Sequence, residues 1–305
     1  MVGYVIRRCL ALVFVVFVIS VITFVIMYSV PGGPFEERQM PLQGAQRENI
    51  LRKYGMTGSI FERYIAYVGN ALQGDFGYSF FSPTERVQDL IARVWGPTLI
   101  LGGITIAISL PLGVWLGILA AKHKGSFLDL IINTFATSMT VIPGFVIAVA
   151  LILTFSARIR LLPSGGWGGP EHLVLPVIAY ALGPTATLIR YIRGLTLDEL
   201  GLDYVRTARA KGLAEHLIIP RHVFKNLMIP LVTVFGPTIP LILTGSVFIE
   251  TTFRIPGLGQ YLVSSSVNRD YPMVMALTLI MAVIWGITLL VTDILYVKLD
   301  PRVEL

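Results

Sequence analysis

The chain has 305 residues, 54% of them hydrophobic and 14% charged, with a net charge of +6. A soluble domain carries about 25% charged residues, so the composition excludes a water-facing globule and points to an all-α polytopic membrane protein. In such a chain excess positive charge marks cytoplasmic loops rather than a nucleic-acid surface, and the single cysteine, Cys9, excludes a disulfide framework or a cysteine-held metal cluster.

Six apolar stretches meet the requirement of roughly 20 residues for a spanning helix: 9–30, 98–121, 131–157, 173–193, 227–249 and 273–297. The first follows Tyr4-Val5-Ile6-Arg7-Arg8, which resembles the charged start of a signal peptide. Its apolar run is too long for that role and lacks a small-residue cleavage site before Pro31, so it reads as a retained anchor, with Cys9 a small buried side chain. Orientation follows from Lys and Arg in the short flanks. With the N-terminus inside, the inner side collects Arg7, Arg8, Lys122, Lys124, Arg190, Arg193, Arg206, Arg209, Lys211, Arg221, Lys225, Lys298 and Arg302. The short outer loops hold Arg158, Arg160, Arg254 and Arg269. Both termini are therefore expected in the cytoplasm of a multi-pass inner-membrane protein.

After the first span, Pro31-Gly32-Gly33-Pro34 breaks the helix and a long outer loop follows. Ile60, Phe61, Tyr64, Ile65 and Val68 share one helical face, and Val87, Leu90, Ile91 and Val94 share another. Ser82-Pro83 reads as the N-cap and first residue of that second helix. These helices either lie on the membrane surface or pack into a small cap. The second span ends at a tight inner turn, Lys122-His123-Lys124-Gly125. The third carries Asn133, Thr134, Thr137, Ser138 and Thr140 and then Pro143-Gly144, a kink expected to face the bundle rather than lipid. The fourth holds Pro176 and Gly183-Pro184, with Arg190 and Arg193 at its inner end snorkelling to headgroups. The fifth is the most interrupted, with Pro230, Gly236-Pro237, Pro240 and Gly245-Ser246, and Glu250 closes it on the outer side. The sixth ends at Asp293, expected to meet a cation or water on the inner side rather than lipid. Candidate residues for a translocation path or hinge are thus Ser138, Thr140, Pro143, Gly144, Pro184, Pro237, Pro240, Gly245 and Ser246.

Several chemistries are missing. No phosphate-cradling Gly-Lys loop occurs. The middle of every span lacks Asp, Glu, Lys, Arg and His, which ion-coupled carriers use as relays. His123, His172, His216 and His222 lie in loops or at span ends, so Ser246 has no base beside it for an intramembrane protease, and HExxH is absent. What remains is a transmembrane subunit that takes its energy from elsewhere, with no catalytic residue, metal or cofactor of its own.

The interval 195–226 between the fourth and fifth spans contains Asp203-Tyr204-Val205-Arg206-Thr207-Ala208-Arg209-Ala210-Lys211-Gly212. Asp203 suits the positive end of a short helix, Lys211 its negative end, and Gly212 the left-handed residue that follows. A helix of about two turns is stable only when docked on something. This segment, with Arg221-His222 and Pro230, resembles the cytoplasmic loop of the dipeptide/oligopeptide ABC importer permeases, in particular the first permease subunit. The likeness extends over the whole chain through Gly74-Asp75-Phe76-Gly77-Tyr78-Ser79, Leu161-Leu162-Pro163, Pro256-Gly257-Leu258-Gly259, Asp270-Tyr271-Pro272 and Asp300-Pro301-Arg302. Arg206-Thr207-Ala208 stands where the wider class has Glu-Ala-Ala, and Pro220 stands where branch members more often have an aliphatic residue.

The resemblance implies the type I ABC importer permease fold, with an N-terminal segment and first span over 1–30, an extracytoplasmic helical loop over 31–97 and a permease core over 98–305. It also implies a second homologous permease, two cytoplasmic ATPases that bind ATP and Mg, and an extracytoplasmic substrate-binding protein. Asp203, Tyr204, Arg206, Thr207, Ala208, Arg209, Lys211 and Gly212 are then the residues expected to couple to the ATPases. Peptides are the expected cargo; nickel chelates, glutathione or oligosaccharides share the architecture.

Overall fold

The computed structural model describes residues 2–29 and 58–299, and every regular element among them is helical. The Pro31–Pro34 break, the first part of the loop after it and the Asp300-Pro301-Arg302 ending lie outside the described residues. Four helices are long and apolar enough to cross a membrane: α1 (Val2–Ser29), α3 (Val87–Lys122), α6 (Glu171–Leu200) and α13 (Tyr271–Leu299). Two bent pairs raise the number to six if each is one span. In the first, α4 (Phe127–Val141) meets α5 (Gly144–Leu151), which runs on as a wider π-helical segment to Arg158, at 104°. In the second, the helix ending in α9 (Phe224–Phe235) meets α10 (Thr238–Leu243) and α11 (Val247–Thr252) at 48°. Counted in that way, the third and fifth expected spans are broken where Pro143-Gly144 and Gly236-Pro237 remove hydrogen-bond donors.

The α3–α6 pair is the spine. A Cβ added to Gly113 would lie 2.6 Å from the Leu188 Cβ, and one added to Gly117 would lie 2.9 Å from the Ile189 carbonyl. Two glycines one turn apart therefore bring the helix backbones together, the close-approach geometry favoured between membrane helices. Ala120, Ala186 and Ile189 continue the seam toward α4 through Ile132 and Ala136.

At one end of the bundle, Arg8 of α1 pairs with Asp293 of α13 at 3.0 Å, so of the cation or water expected for that carboxylate it meets the cation. Cys9, expected to be buried, is exposed. It lies on α1, which leaves Leu10, Val13, Phe14 and Phe17 outward for lipid. On the far side, α2 (Ile60–Ala71) begins in a capping box between Ser59 and Glu62. It rests on α1 through a 2.7 Å hydrogen bond between the Ser20 and Tyr64 hydroxyls and an edge-on contact of Tyr64 with Phe24. Ile60, Phe61 and Ile65 stay exposed, so this helix is not the packed cap the pattern allowed.

Val87, Leu90, Ile91 and Val94 do pack, against Leu258, Met273 and Leu277, but they are not a separate helix. They form the first turns of α3, which runs unbroken through Pro97 into the membrane. Ser82-Pro83 does not start it either: the helix begins at Val87 after an extended Arg86. The reason is Asp270, buried at the head of α13, which accepts hydrogen bonds from the Ser79 hydroxyl and from the Phe80 and Phe81 N–H groups. Those bonds hold 79–86 as a turn. Glu250 organises the same side. Fully buried, it accepts the Thr98 hydroxyl at 2.9 Å and the Gln260 N–H at 3.0 Å, while Leu258 N–H donates to Thr98 at 2.8 Å. One carboxylate thus ties α3, α11 and the start of α12 (Leu258–Val267) together.

Candidate functional site

The DYVRTARAKG segment folds as α7 (Asp203–Ala210) beside the ends of α3 and α6, in one apolar cluster with Ile118, Leu195 and Leu200. Two of its faces differ sharply. Val205 and Ala208 are 0% and 7% exposed, and Val205 sits among Ile218, Ile219, Val223 and Leu227. Asp203, Arg206, Thr207, Arg209, Ala210 and Lys211 face outward. The helix is therefore docked on its own chain by an apolar edge and presents a polar one.

Its ends are defined chemically. Asp203 stands in the first turn and Arg209 in the last, both favourable to the helix dipole. Gly212 adopts φ +77°. Its N–H donates to the Arg209 carbonyl at 2.9 Å, and Leu213 N–H donates to the Ala208 carbonyl at 3.2 Å. Those two bonds make a Schellman termination, which needs the left-handed residue that glycine supplies. Pro220 follows within a π-helical stretch, Ile219–Val223. It has no N–H to continue the ladder, so the hydrogen bonds widen there, which gives that residue a structural role.

Tyr204 turns inward. Its hydroxyl donates to Glu199, and Asn226 Nδ2 reaches both Glu199 (3.1 Å) and the Tyr204 oxygen (3.3 Å). Burial, reinforced by the hydrogen bond to Glu199, pushes the Tyr204 phenol up to about 12. Tyr204 thereby links α7 to the end of α6 and the start of α9. Of the residues expected to couple, Tyr204 and Ala208 are anchors; Asp203, Arg206, Thr207, Arg209, Lys211 and Gly212 are accessible. The Asp203–Arg206 pair at 3.3 Å is solvent-exposed and contributes little.

Behind α7, Arg193 does not snorkel. Its guanidinium grips Asp129 with two hydrogen bonds, 2.6 and 2.7 Å, while Asp129 also accepts Gly125 N–H at 3.0 Å. This fork fixes the turn before α4 to the last turns of α6. Sequence reasoning passed over Asp129, Glu199 and Asn226; Asp129 three residues after the N-cap Ser126 is the signal available for the first. Arg190 does not snorkel either: it donates to the Thr140 hydroxyl of α4 at 3.4 Å.

The candidate path residues fall into two groups. Ser138, Thr140, Pro143 and Gly144 gather at the α4–α5 break, which lies open on the surface of this chain rather than facing its own bundle. Among the described residues the carbonyls of Met139, Thr140, Val141 and Ile142 receive no backbone hydrogen bond. Pro184 lies half-buried within α6, Pro237 is exposed at the α9–α10 break and Pro240 is buried. Gly245 (φ +88°) and Ser246 form the α10–α11 joint, where the Ser246 hydroxyl caps Ile249 N–H. Around that joint the Ile242 carbonyl accepts the Gly245 N–H at 3.3 Å and the Leu241 carbonyl the Thr244 hydroxyl at 3.4 Å, and the Tyr180 hydroxyl reaches both carbonyls, at 3.3 Å for Leu241 and 3.2 Å for Ile242. One break is satisfied internally and the other is not. Among the described residues no group of three His, Cys, Asp or Glu side chains is placed to hold a metal ion.

Comparison with known proteins gives concordant matches. Residues 113–305 match the family model described as binding-protein-dependent transport system inner membrane component, and residues 1–101 match the model of its N-terminal region. The dipeptide transport system permease protein DppB of Bacillus subtilis is 38% identical over 305 residues, covering 100% of this chain and 99% of that one. The oligopeptide transport system permease protein OppB of Salmonella typhimurium is 35% identical over 307 residues, covering 100% of both. Among solved structures, the MetNI methionine ABC transporter in an inward-facing form matches with a TM-score of 0.53 at 16% identity. That match covers 69% of this chain and 96% of that one, a likeness of fold.

Proposed function

We propose a division of labour within this chain, which belongs to the binding-protein-dependent transport system inner membrane component family as a multi-pass permease subunit of a peptide ABC importer. The outward edge of α7 receives the stroke of a cytoplasmic ATPase, and the open α4–α5 break forms one wall of the peptide path. Membership implies ATPase and substrate-binding partners. The finer assembly is two ATPases, a second homologous permease and an extracytoplasmic binding protein. Both termini and α7 then lie in the cytoplasm, in keeping with the Lys and Arg gathered on that side. ATP and Mg are held and ATP is hydrolysed by the partners, so this chain does no bond-breaking chemistry.

The observation that carries the reading is the two-faced α7. Force applied to Arg206, Thr207 and Lys211 passes through Val205 and Ala208 into the bundle, and through Tyr204 to Glu199 and Asn226. It reaches α6 and α9 together, and α9 bends at Gly236-Pro237. A push on a rigid helix pair that meets a built-in break is converted into a change of angle.

The path follows from hydrogen-bond accounting. An unpaired carbonyl in hydrocarbon costs several kcal/mol, so the exposed 139–142 backbone requires water or a polar partner rather than lipid. A path shared with a second permease supplies both. The test is the double substitution Arg206→Glu with Lys211→Glu, which reverses the charge of the outward edge and leaves Val205 and Ala208 in place. The expected result is a chain that inserts normally but loses its ATPases on purification, with peptide uptake abolished. Full uptake and intact assembly would remove the reading.

A further inference from the structure

We infer that Arg190 receives the carboxylate of the peptide during its passage, an inference that rests on the α4–α5 break lining the path. Arg190 lies one turn deeper in the membrane than Arg193, which is already spent on Asp129. Among the described residues no carboxylate is within ion-pair distance of Arg190. Its direction matters more than its depth. A snorkelling arginine turns toward the nearer membrane surface. This one is held by Thr140, which lies about 16 Å further along α4 than Asp129 at 1.5 Å per residue. The guanidinium therefore points into the membrane, beside the unpaired backbone at the break.

Its surroundings complete a donor–acceptor arrangement. Thr140 gives its proton to the Thr137 carbonyl (2.8 Å), Ser138 to the Thr134 carbonyl (2.9 Å) and Thr187 to the Gly183 carbonyl (3.1 Å). Each hydroxyl has spent its single proton on its own helix, so what it offers outward is lone pairs. With the free carbonyls of 139–142 they make a surface of acceptors, which suits peptide N–H groups and an ammonium. Arg190 brings a positive charge to that surface at Thr140, and a planar fork of donors is the group that fits a carboxylate. An intramembrane arginine that neither pairs with a carboxylate of its chain nor turns to the headgroups marks a functional position, and its donor fork suits a cargo carboxylate. A zwitterionic peptide leaving water needs its carboxylate met, and Arg190 meets it without a permanent partner to displace.

The experiment uses the complete importer in liposomes, with its binding protein and a labelled peptide bearing a free C-terminal carboxylate. Arg190→Gln should lower maximal uptake about ten-fold, the scale of one charge-assisted hydrogen-bonded contact. Arg190→Glu should lower it further, and Arg190→Lys should recover part of it, because the charge is kept while the planar fork is lost. The half-saturating concentration of loaded binding protein and the stimulated ATP hydrolysis should be unchanged. Normal uptake by Arg190→Gln overturns the inference. So does an equal loss of ATP hydrolysis that Arg190→Lys does not rescue, which would make Arg190 a structural brace. So does a loss that the wild type reproduces when anionic lipid is omitted, which would assign the arginine to headgroups. A second arm separates the inference from its premise: Thr137→Cys in a Cys9→Ser background, probed with a water-soluble maleimide. Labelling keeps the path reading and leaves the carboxylate contact to stand or fall on the uptake data. No labelling removes the path reading and the inference with it.

Discussion

Replacing Gly212 separates what this chain needs for itself from what its partner needs. The residue sits at φ +77°, and a Cβ built there meets nothing within 4 Å. The intrinsic cost of Gly212→Ala is therefore purely conformational, about 1–2 kcal/mol for an L-residue in the left-handed region. That is a factor of about 5–30 in the population of the capped helix end. Gly212→Asn should cost less, because asparagine visits that region readily. Gly212→Asp shares the shape of Asn but adds a negative charge at the helix C-terminus, unfavourable by about 0.3–1 kcal/mol. Gly212→Val should be the most strained. Within the isolated chain the effects stay near these values, since nothing in it crowds the site. If α7 enters an ATPase cleft, every added side chain intrudes there as well, and coupling falls further than chain stability. Binding-protein-stimulated ATP hydrolysis and peptide uptake by the reconstituted complex, compared with the thermal stability of the purified chain, measure the two separately. The expected order of coupling is Gly, Asn, Ala, Val, with Asp below Asn. Wild-type uptake and assembly for Gly212→Asp would refute the reasoning.

Further substitutions test the frame that holds α7. Gly117→Ala would set a Cβ 2.8 Å from the Ile192 Cβ and 2.9 Å from the Ile189 carbonyl, and overpacking of this kind costs about 1–3 kcal/mol. Gly103→Ala on the same helix meets nothing within 4 Å and should leave thermal stability unchanged or slightly raised. Arg193→Ala strands a carboxylate that is 7% exposed and should lower stability by about 3 kcal/mol. Arg193→Ala with Asp129→Ala should recover part of it, as a double-mutant cycle would read. Tyr204→Phe leaves Glu199 with Asn226 alone and should weaken coupling without loss of ATPase binding. Because the folded phenol titrates near 12 and the unfolded one near 10, its neutral form is favoured by folding. Its contribution is complete below pH about 10 and is lost as pH rises through about 12, so wild type and Tyr204→Phe should converge in stability across that window.

Much of this architecture is written in one-dimensional patterns. Long apolar runs give α1, α3, α6 and α13. Pro143-Gly144 and Gly236-Pro237 mark the two breaks, yet Pro97 and Pro111 leave α3 continuous and Pro176 and Gly183-Pro184 leave α6 continuous, so a missing N–H permits a break and the packing around it decides. Gly212 was legible for a local reason: a helix end needs a left-handed residue whatever the tertiary structure. The misreadings are tertiary. Ser82-Pro83 has the local chemistry of a helix start, yet Asp270, nearly two hundred residues away, claims the backbone at 79–81. Arg193 looked like a headgroup anchor because its partner Asp129 lies on another helix. Tyr204 and Ala208 looked like partner contacts because periodicity alone does not say which face of an eight-residue helix turns inward. Gly113 and Gly117, spaced one turn apart, carried a readable small-residue signal for the α3–α6 seam.

The central claim is that the outward edge of α7 touches an ATPase, and site-specific crosslinking tests it most directly. In a Cys9→Ser background, Arg206→Cys or Thr207→Cys would be tagged with a benzophenone maleimide and irradiated in the purified complex. Val13→Cys, on the exposed face of α1, serves as the control. The account predicts a crosslink from both α7 positions to the ATPase subunit, altered in yield when ATP is bound, and none from Val13→Cys. Absence of any ATPase crosslink from α7, in complexes that retain the ATPase, would contradict it.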